Sequence, residues 1–303
     1  MAIRRSLASL GFHESQTIKL ISDAQLIDAL ALRPLQDGDI IRVKLPLSED
    51  HAIMRPSIVP GLIATAARNI RLGTKSLRFF ELGRVFRNQG GGKAKDLESD
   101  SLALVLSGPV TAAGWSQSDR SADLYDLKSI IAALLPAAKI QFVPKERPGF
   151  ALAAEIQADG QGIGVFARLK PSRERELDLS SAVFMAELDL SKLRKLRSGI
   201  THAEPLPQFP GSSRDAAMDL PAITANLEIE KAIAKVQHPL LVSFDCFDVF
   251  TDPSGEKLPA DRKSVAYRFL YRAEDRTLKA EEVDAAHQGV LEALSQALPL
   301  KFR

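Results

Sequence analysis

The chain has 303 residues, enough for two domains at roughly 100–200 residues each. Hydrophobic residues make up 45% of it and charged residues 26%, which is typical of a globular protein and not of a disordered or collagen-like one. The longest apolar run, residues 130–138, is interrupted by Pro136 and is too short to span a bilayer. We therefore expect no membrane segment.

The cysteine content and the first residues bear on where the protein works. Cys246 is the one cysteine, which excludes an internal disulfide and a zinc site with several cysteines, and fits a reducing compartment. It lies in a strand-like segment, where we expect a small buried residue and not a nucleophile. Arg4 and Arg5 precede only a short apolar run, so no secretion signal is predicted. We expect a cytoplasmic protein.

The net charge of +2 is unevenly distributed. Residues 209–303 carry 12 Lys and Arg against 15 Asp and Glu, a net −3, and residues 1–208 carry 28 against 23, a net +5. Neither part is as basic as proteins that bind nucleic acid over a broad surface. Any contact with RNA is therefore expected to be a local patch.

In chain order, the first 200 residues mix helical and strand-like periods. Gly11 follows the first helical segment in the position of a left-handed C-cap, and Pro60 lies in the first turn of the second. The predicted helices are residues 2–10, 58–70 and 123–135. The predicted strands are residues 77–86, 102–106, 153–156, 162–169 and 183–188. Hairpin-linked strands with helices between them predict an α+β fold with an antiparallel sheet.

Two irregular stretches interrupt these elements. Residues 198–210 include three prolines and follow no regular period, so we interpret them as a boundary. We assign residues 1–200 to a first domain, 201–208 to a linker and 209–303 to a second domain. The glycine-rich stretch 90–96 lies between two strand-like runs and is predicted to be a hairpin loop.

The second domain has a simpler pattern. Its predicted elements are a strand at 216–219, a helix at 226–236, strands at 240–250 and 264–272, a helix at 281–298 and a short strand at 300–303. The order βαββαβ is that of the ferredoxin-like fold. Because this fold serves small-molecule sensors and RNA-binding domains alike, it does not by itself indicate a function.

The motifs of self-contained catalytic sites are missing from the sequence. The five histidines have no partner at ligand spacing, so no metal site is predicted. Gly160, Gly162 and Gly164 do not complete a dinucleotide fingerprint and are assigned to a tight turn, and there is no G-x-S-x-G motif. We predict no catalytic residues in this chain.

Two groups of residues remain as candidates for a function. The first comprises residues 54–62, 68–69 and 77–87, with the charged residues Arg55, Glu81, Arg84 and Arg87. Its charges favour a solvated sheet edge, and the alternative is a surface that handles a nucleotide or contacts another subunit.

The second group centres on the strand at residues 264–272. Its side chains alternate between Val265, Tyr267, Phe269 and Tyr271 on one face and Ser264, Ala266, Arg268, Leu270 and Arg272 on the other. One face is expected to pack and the other to stay free. Arginines and an aromatic ring on a free sheet face suit unstacked RNA bases, although the strand taken alone slightly favours a merely solvated face.

The second group resembles the ferredoxin-fold anticodon-binding domain of the bacterial phenylalanyl-tRNA synthetase beta subunit, across residues 209–303. The resemblance rests on the motifs F-P-x-x-x-R-D, F-D-x-F, K-S-x-A-x-R and R-T-L-x-x-E-E-V. The first domain resembles the catalytic-like module of the same subunit, through R-P-S at residues 55–57 and F-E-L-G at residues 80–83.

This resemblance implies a class II synthetase-like sheet without catalytic function in the first domain. The acidic residue expected after Phe86 and Arg87 is missing, and the charged run 173–178 stands where an ATP-binding arginine is expected. An alpha subunit would then carry the active site in an (αβ)₂ assembly that charges tRNA-Phe with phenylalanine, using ATP and Mg²⁺. The chain itself is expected to bind neither cofactor, and a homodimer of the isolated chain is left open.

For the anticodon loop, the resemblance and the free sheet face together predict six contact residues: Arg214, Ala217, Asp248, Phe250, Ser264 and Arg268. An ionised Asp248 only accepts hydrogen bonds, which suits the Watson–Crick edge of guanine, the first anticodon base of the family's tRNA. Phe250 stands where the family more often has tyrosine. The ring can still stack, but the hydrogen bond of a phenolic hydroxyl is lost.

Beta subunits of this family carry several hundred residues before the part that this chain resembles, including a tRNA-binding OB domain and an editing domain. We therefore expect either the C-terminal portion of such a subunit, which is favoured, or a stand-alone paralogue. The alternative function is a regulatory or scaffolding module whose ferredoxin-like domain senses a small molecule.

Overall fold

The computed structural model describes residues 2–88, 90, 97–111, 113–197 and 205–302. The chain divides into two compact units, Met1–Thr201 and His202–Arg303, here termed the first and the second unit. Residues 201–204 of the predicted linker and residues 91–96 of the predicted hairpin loop lie outside the described residues. Within the described ranges, no helix has both the length and the apolar character needed to cross a membrane.

The first unit is built on a seven-stranded sheet in the order β1-β4-β5-β11-β10-β9-β8. Neighbouring strands are antiparallel except β1 and β4. The strands of the first unit are β1 His13–Glu14, β2 Leu20–Ile21, β3 Ile53–Met54, β4 Leu77–Phe86, β5 Glu98–Ser107, β6 Pro109–Thr111, β7 Arg120–Ser121, β8 Ile140–Pro144, β9 Phe150–Ala158, β10 Gln161–Leu169 and β11 Val183–Asp189. Its α-helices are α1 Ala2–Ser9, α2 Val59–Arg71, α3 Leu124–Leu134, α4 Pro171–Glu176 and α5 Leu190–Arg197. The predicted α+β fold is confirmed.

Both faces of the large sheet are covered, as β5 shows. Leu102, Leu104 and Leu106 belong to the core on one face, and Ala103 and Val105 to the core on the other. Strand residues alternate sides, so a strand that is buried on both faces has a continuous apolar run. For this reason the sequence predicts only the apolar centre of β5 and misses its polar start.

Local sequence rules account for the ends of two helices. Gly11 has a φ of +81°, the left-handed conformation predicted after α1. Pro60 lies in the first turn of α2, where its missing N–H is not needed. The sequence does not predict α4 and α5, which are short and contain few apolar residues; α5 buries only Leu190 and Leu193.

The first group of candidate residues forms a buried polar cluster, so the prediction of a solvated sheet edge was wrong. Arg55 is 2% exposed, and its Nη1 lies 2.8 Å from Oε1 of the equally buried Glu81. Arg55 also donates to the hydroxyl of Thr17 and to the carbonyl of Arg84. The cause is the position of β4 inside the sheet, between β1 and β5, with α2 packed on it. Of the four charged residues named for this group, Arg84 fits the prediction, since its side chain is exposed and pairs with Glu98.

A second buried cluster centres on Glu187 of β11. Ser57 and Ser101 donate side-chain hydrogen bonds to its carboxylate, and Ile58 donates its backbone N–H. Burial raises the pKa of Glu187 above its ordinary value, against the opposing effect of these donors and of Arg87. In both clusters, polar groups that are buried away from water have hydrogen-bond or ion-pair partners within the protein.

The second unit has the predicted order of elements. They are β12 Ser212–Pro221, α6 Asn226–Val236, β13 Leu241–Thr251, β14 Arg262–Tyr271, α7 Ala280–Ala297 and β15 Lys301–Phe302. The strands lie in the order β13-β14-β12-β15 and are all antiparallel. This confirms the ferredoxin-like arrangement, in which α6 and α7 cover one face of the sheet around a core that includes Met218, Ile233, Phe269 and Val290.

The prediction that Cys246 is buried was wrong. The residue is exposed because β13 forms the edge of the sheet and has a neighbouring strand on one side only. Partial burial of the sulfur still raises the pKa of its thiol, which disfavours the nucleophilic thiolate.

Candidate nucleic-acid interface

The candidate site is the face of the second-unit sheet that α6 and α7 leave uncovered, here termed the open face. The β14 side chains buried under the helices are Val265, Tyr267, Phe269 and Tyr271. Because strand residues alternate sides, the residues on the open face are Ser264, Ala266, Arg268 and Leu270. The predicted division of this strand into a packed face and a free face is confirmed.

The strands on both sides of β14 bring further predicted residues to the open face. Ala266 pairs with Ala217 of β12 and with Asp248 of β13, and Ser264 pairs with Phe250 of β13. Directly paired residues point to the same side of a sheet, with Cβ atoms about 4.5–5.5 Å apart. These five residues therefore form one continuous surface.

A β-bulge in β13 decides which of its residues reach the open face. The pairing with β14 skips Phe247, which is an extra residue in the strand. Strict alternation from Asp245, which pairs with Arg268, would turn Asp248 and Phe250 toward the helices. The bulge shifts the alternation by one residue and so places both side chains on the open face.

Arg268 lies farther along the open face and is held by two neighbours. Its Nε and Nη2 donate to the two carboxylate oxygens of Asp215, at 2.8 and 2.7 Å. Its guanidinium carbon lies 5.0 Å from the centre of the Phe247 ring, within the range of a cation–π contact. The hydrogen bond from Arg268 lowers the pKa of Asp215, so this carboxylate is ionised at neutral pH.

The structure separates Arg214 from the other predicted contact residues. Arg214 pairs with the buried Phe269, and its Nε donates to Asp284 of α7 at 2.7 Å. Its side chain is therefore on the helix-covered side, whereas that of the next residue, Asp215, is on the open face. Of the six residues, all except Arg214 share the open face.

The open face carries charges of both signs. The aspartates at its register positions are Asp215, Asp219, Asp245 and Asp248, and the basic residues there are Arg262, Arg268 and Lys301. Arg262 lies 3.8 Å from Asp219, and Arg268 lies 2.7 Å from Asp215. Such a face gives little net attraction to phosphate groups but offers carboxylate oxygens to the N–H groups of base edges. Phe250 and Phe247 are 39% and 53% exposed, so their rings are accessible for stacking.

Two features of this face could not be predicted from the sequence. Phe247 belongs to the F-D-x-F motif, yet alternation alone does not reveal the bulge that brings it next to Arg268. Ser264 is only 8% exposed and forms the floor between Phe250 and Asp219. Over the residues that the structure describes, no group of three or more His, Cys, Asp or Glu side chains is placed to hold a metal ion.

Two protein families match the chain. Residues 1–190 match the family described as phenylalanyl tRNA synthetase beta chain CLM domain. Residues 207–303 match the family described as ferredoxin-fold anticodon binding domain. This matched segment contains the whole open face.

Curated proteins and solved structures give further similarities. The phenylalanine–tRNA ligase beta subunit of Geobacillus kaustophilus is 32% identical over 305 residues, covering 97% of this chain and 36% of that protein. The beta subunit of Salinibacter ruber is also 32% identical, over 312 residues, covering 97% and 37%. The chain thus spans little more than a third of the length of these relatives. A pyrrolysyl tRNA synthetase structure from Desulfitobacterium hafniense aligns with a TM-score of 0.49 at 17% identity, covering 67% of this chain and 70% of that one.

Proposed function

The chain belongs to the family of phenylalanyl-tRNA synthetase beta chains, and on this premise we propose that its second unit binds the anticodon loop of tRNA-Phe. The observation that carries the proposal is the shared placement of Ala217, Asp248, Phe250, Ser264 and Arg268 on the open face. A helix-free sheet surface of this kind receives unstacked bases.

Each side chain has a chemical role in this proposal. The ring of Phe250 stacks on a base, a contact worth about 1–3 kcal/mol. Asp248, two residues away on the same face, accepts hydrogen bonds from the N1–H and the amino group of guanine. Ala217 and Ser264 lie beside them and leave room for the base, and the Ser264 hydroxyl supplies a polar group at the floor of the site.

The first unit, in our proposal, supports a catalytic alpha subunit and forms no aminoacyl adenylate. Two arginines of the first candidate group are already engaged within the chain: Arg55 with Glu81, and Arg87 with the carbonyl oxygen of Pro56 at 3.0 Å. Burial also lowers the pKa of Arg87 below its ordinary value. A guanidinium held in this way is poorly placed to bind a nucleotide phosphate.

The proposed assembly is (αβ)₂ in the cytoplasm, with ATP and Mg²⁺ bound by the alpha subunit. A homodimer through α1 is not part of this proposal. The apolar residues Ile3 and Leu7 of that helix are buried in the core of the first unit and offer no free apolar surface. The alternative of a small-molecule sensor has no support from the relatives, which are ligase beta subunits.

The binding proposal is tested by titrating the 303-residue chain with a tRNA-Phe anticodon stem-loop and with an unrelated stem-loop at the same salt concentration. We expect tighter binding of the tRNA-Phe stem-loop. Phe250→Ala is expected to weaken it by about 5- to 150-fold, the equivalent of one lost stacking contact. Phe250→Tyr is expected to strengthen it by about 2- to 10-fold, since a hydroxyl adds one hydrogen bond.

Val249→Ala is the matched control for these variants. Val249 is 55% exposed on the same strand but pairs with the buried Val265, so its side chain is on the opposite side of the sheet. Its replacement is expected to leave binding unchanged. Equal affinity for both stem-loops, or equal effects of Val249→Ala and Phe250→Ala, would reject the proposal. Detectable ATP–pyrophosphate exchange by the pure chain would reject the non-catalytic role of the first unit.

A further inference from the structure

One aromatic side chain of the open face is unused by the proposed function. Phe247 is the extra residue of the β13 bulge, and 53% of it is exposed to water. Its ring lies against the guanidinium of Arg268, which in turn is fixed by two hydrogen bonds to Asp215. An exposed ring held next to a fixed guanidinium is a flat surface suited to a nucleobase.

We propose that Phe247 and Arg268 form a second base-binding platform, which takes another unstacked base of the RNA loop whose first base stacks on Phe250. This inference rests on the proposed function. Phe247 contacts the base, Arg268 flanks it, and Asp215 is a positioning residue that sets the plane of the guanidinium.

The arrangement of Arg268 favours a base over a phosphate. Asp215 accepts hydrogen bonds from Nε and Nη2 of Arg268, and its negative charge offsets much of the positive charge of the guanidinium. Within the described ranges, the Nη1 group has no hydrogen-bond partner and remains available to the edge of a base. The other charged groups in register around it, Asp245 and Asp248, are negative and repel a phosphate.

The spacing of the two rings fits two bases of one loop. Phe247 and Phe250 are three residues apart on β13, and because the bulge adds a residue without lengthening the strand, their positions are separated by roughly 8 Å along it. Asp248 lies between them on the same face. The loop is therefore expected to place one base on each ring and to turn their hydrogen-bonding edges toward the row of aspartates.

The favoured occupant is RNA and not a protein strand added to the edge of the sheet. A protein that paired with β13 would cover both of its sides, including Val249, which is as exposed as Phe247. If RNA is the occupant, replacing Phe247 should weaken binding and replacing Val249 should not. The two cases are therefore separated by comparing Phe247→Ala with Val249→Ala.

The test is a set of double-mutant cycles between the 303-residue chain and the tRNA-Phe anticodon stem-loop. Each loop nucleotide in turn is replaced by an abasic residue, and binding is measured for the unmodified chain, Phe250→Ala, Phe247→Ala and Val249→Ala. We expect Phe247→Ala to weaken binding about 5- to 30-fold. The loss should disappear when one particular nucleotide is abasic, and that nucleotide should differ from the one coupled to Phe250.

Three further variants separate a contact from a structural role. Phe247→Tyr keeps a ring and should retain affinity within about twofold, whereas Phe247→Leu keeps only apolar bulk and should behave like Phe247→Ala. Asp215→Asn releases the charge of Arg268, so it should weaken coupling to the same nucleotide and steepen the salt dependence by about one counterion.

The outcomes distinguish this inference from the function on which it rests. If the unmodified chain does not prefer the tRNA-Phe stem-loop, the proposed function fails. If the preference holds and Phe250→Ala couples to a nucleotide while Phe247→Ala couples to none, the proposed function stands and the second platform is overturned. Equal losses for Phe247→Ala and Val249→Ala would also overturn it, since they indicate a general effect on β13.

Discussion

Arg55 and Glu81 show at the scale of single residues how strongly this fold depends on paired charges. Both side chains are nearly inaccessible, and Nη1 of Arg55 lies 2.8 Å from Oε1 of Glu81. Removing one partner of a buried pair leaves an uncompensated charge and costs about 3–5 kcal/mol. We expect Arg55→Leu to reduce the free energy of unfolding of the first unit by this amount, as measured by urea denaturation followed by circular dichroism.

Arg84→Leu is the control for that experiment. Arg84 lies on β4 like Glu81 and forms an equally short pair with Glu98, but its side chain is 59% exposed. An exposed pair contributes about 0–1 kcal/mol, so this variant should lose little stability. Similar losses for Arg55→Leu and Arg84→Leu would show that burial of the Arg55 pair does not stabilise the unit.

Glu187 gives the first unit a predicted dependence on pH. Burial raises the pKa of Glu187 above its ordinary value of 4.5, so the folded chain holds the proton to higher pH than the unfolded chain. The stability that this group contributes is present below the unfolded pKa and is lost as pH rises through the folded pKa. Relative to Glu187→Gln, the unmodified chain should therefore become less stable as pH rises above 4.5.

Urea denaturation of both proteins at a series of pH values measures this difference. Other titrating groups affect both proteins alike and largely cancel in the comparison. A difference that stays constant with pH would mean that the Ser57 and Ser101 hydrogen bonds balance the effect of burial, and one that grows in favour of the unmodified chain would mean that they outweigh it.

At the scale of elements, the turn from β5 to β6 depends on Gly108. This residue has a φ of +81°, and a Cβ atom there would collide with the carbonyl oxygen of Lys75. Gly108→Ala should therefore cost more than about 3 kcal/mol of unfolding free energy. Gly73 has a similar φ of +94° with open space around it, so Gly73→Ala should cost only about 1 kcal/mol.

The same denaturation experiment compares the two glycine variants. The difference between them isolates the steric contact, because both substitutions place alanine in the left-handed region. If Gly73→Ala and Gly108→Ala are equally destabilising, the close approach of Lys75 is not what fixes the turn.

The elements of the second unit show which local patterns can be predicted. The sequence predicts α6 with its observed bounds and β14 to within two residues, because side chains on one face only are apolar. It predicts β13 but not its bulge, since an extra residue changes the pairing without changing the composition. The bulge decides that Phe250 and Asp248 belong to the site, and the alternation of β12 decides that Arg214 does not.

At the scale of the whole molecule, the small net charge predicts RNA binding with a weak dependence on salt. Residues 209–303 carry a net −3, and the open face has four aspartates against Arg262, Arg268 and Lys301. Few phosphate contacts release few counterions, so affinity for the stem-loop should fall less than about tenfold between about 50 and 200 mM salt. Titrations across this range give the slope, and a loss of about a thousandfold would point instead to a basic binding surface outside the open face.

The sequence alone predicts the α+β class, the ferredoxin-like order of the second unit and the motifs that place the chain in its family. These features depend on local periodicity and on residue identity, which can be read from the sequence directly. The folded structure was needed to show that Arg55 and Glu81 are buried, that Cys246 is exposed at an edge strand and that Phe247 lies beside Arg268. Burial and strand pairing depend on residues far apart in the chain, so no local pattern reports them.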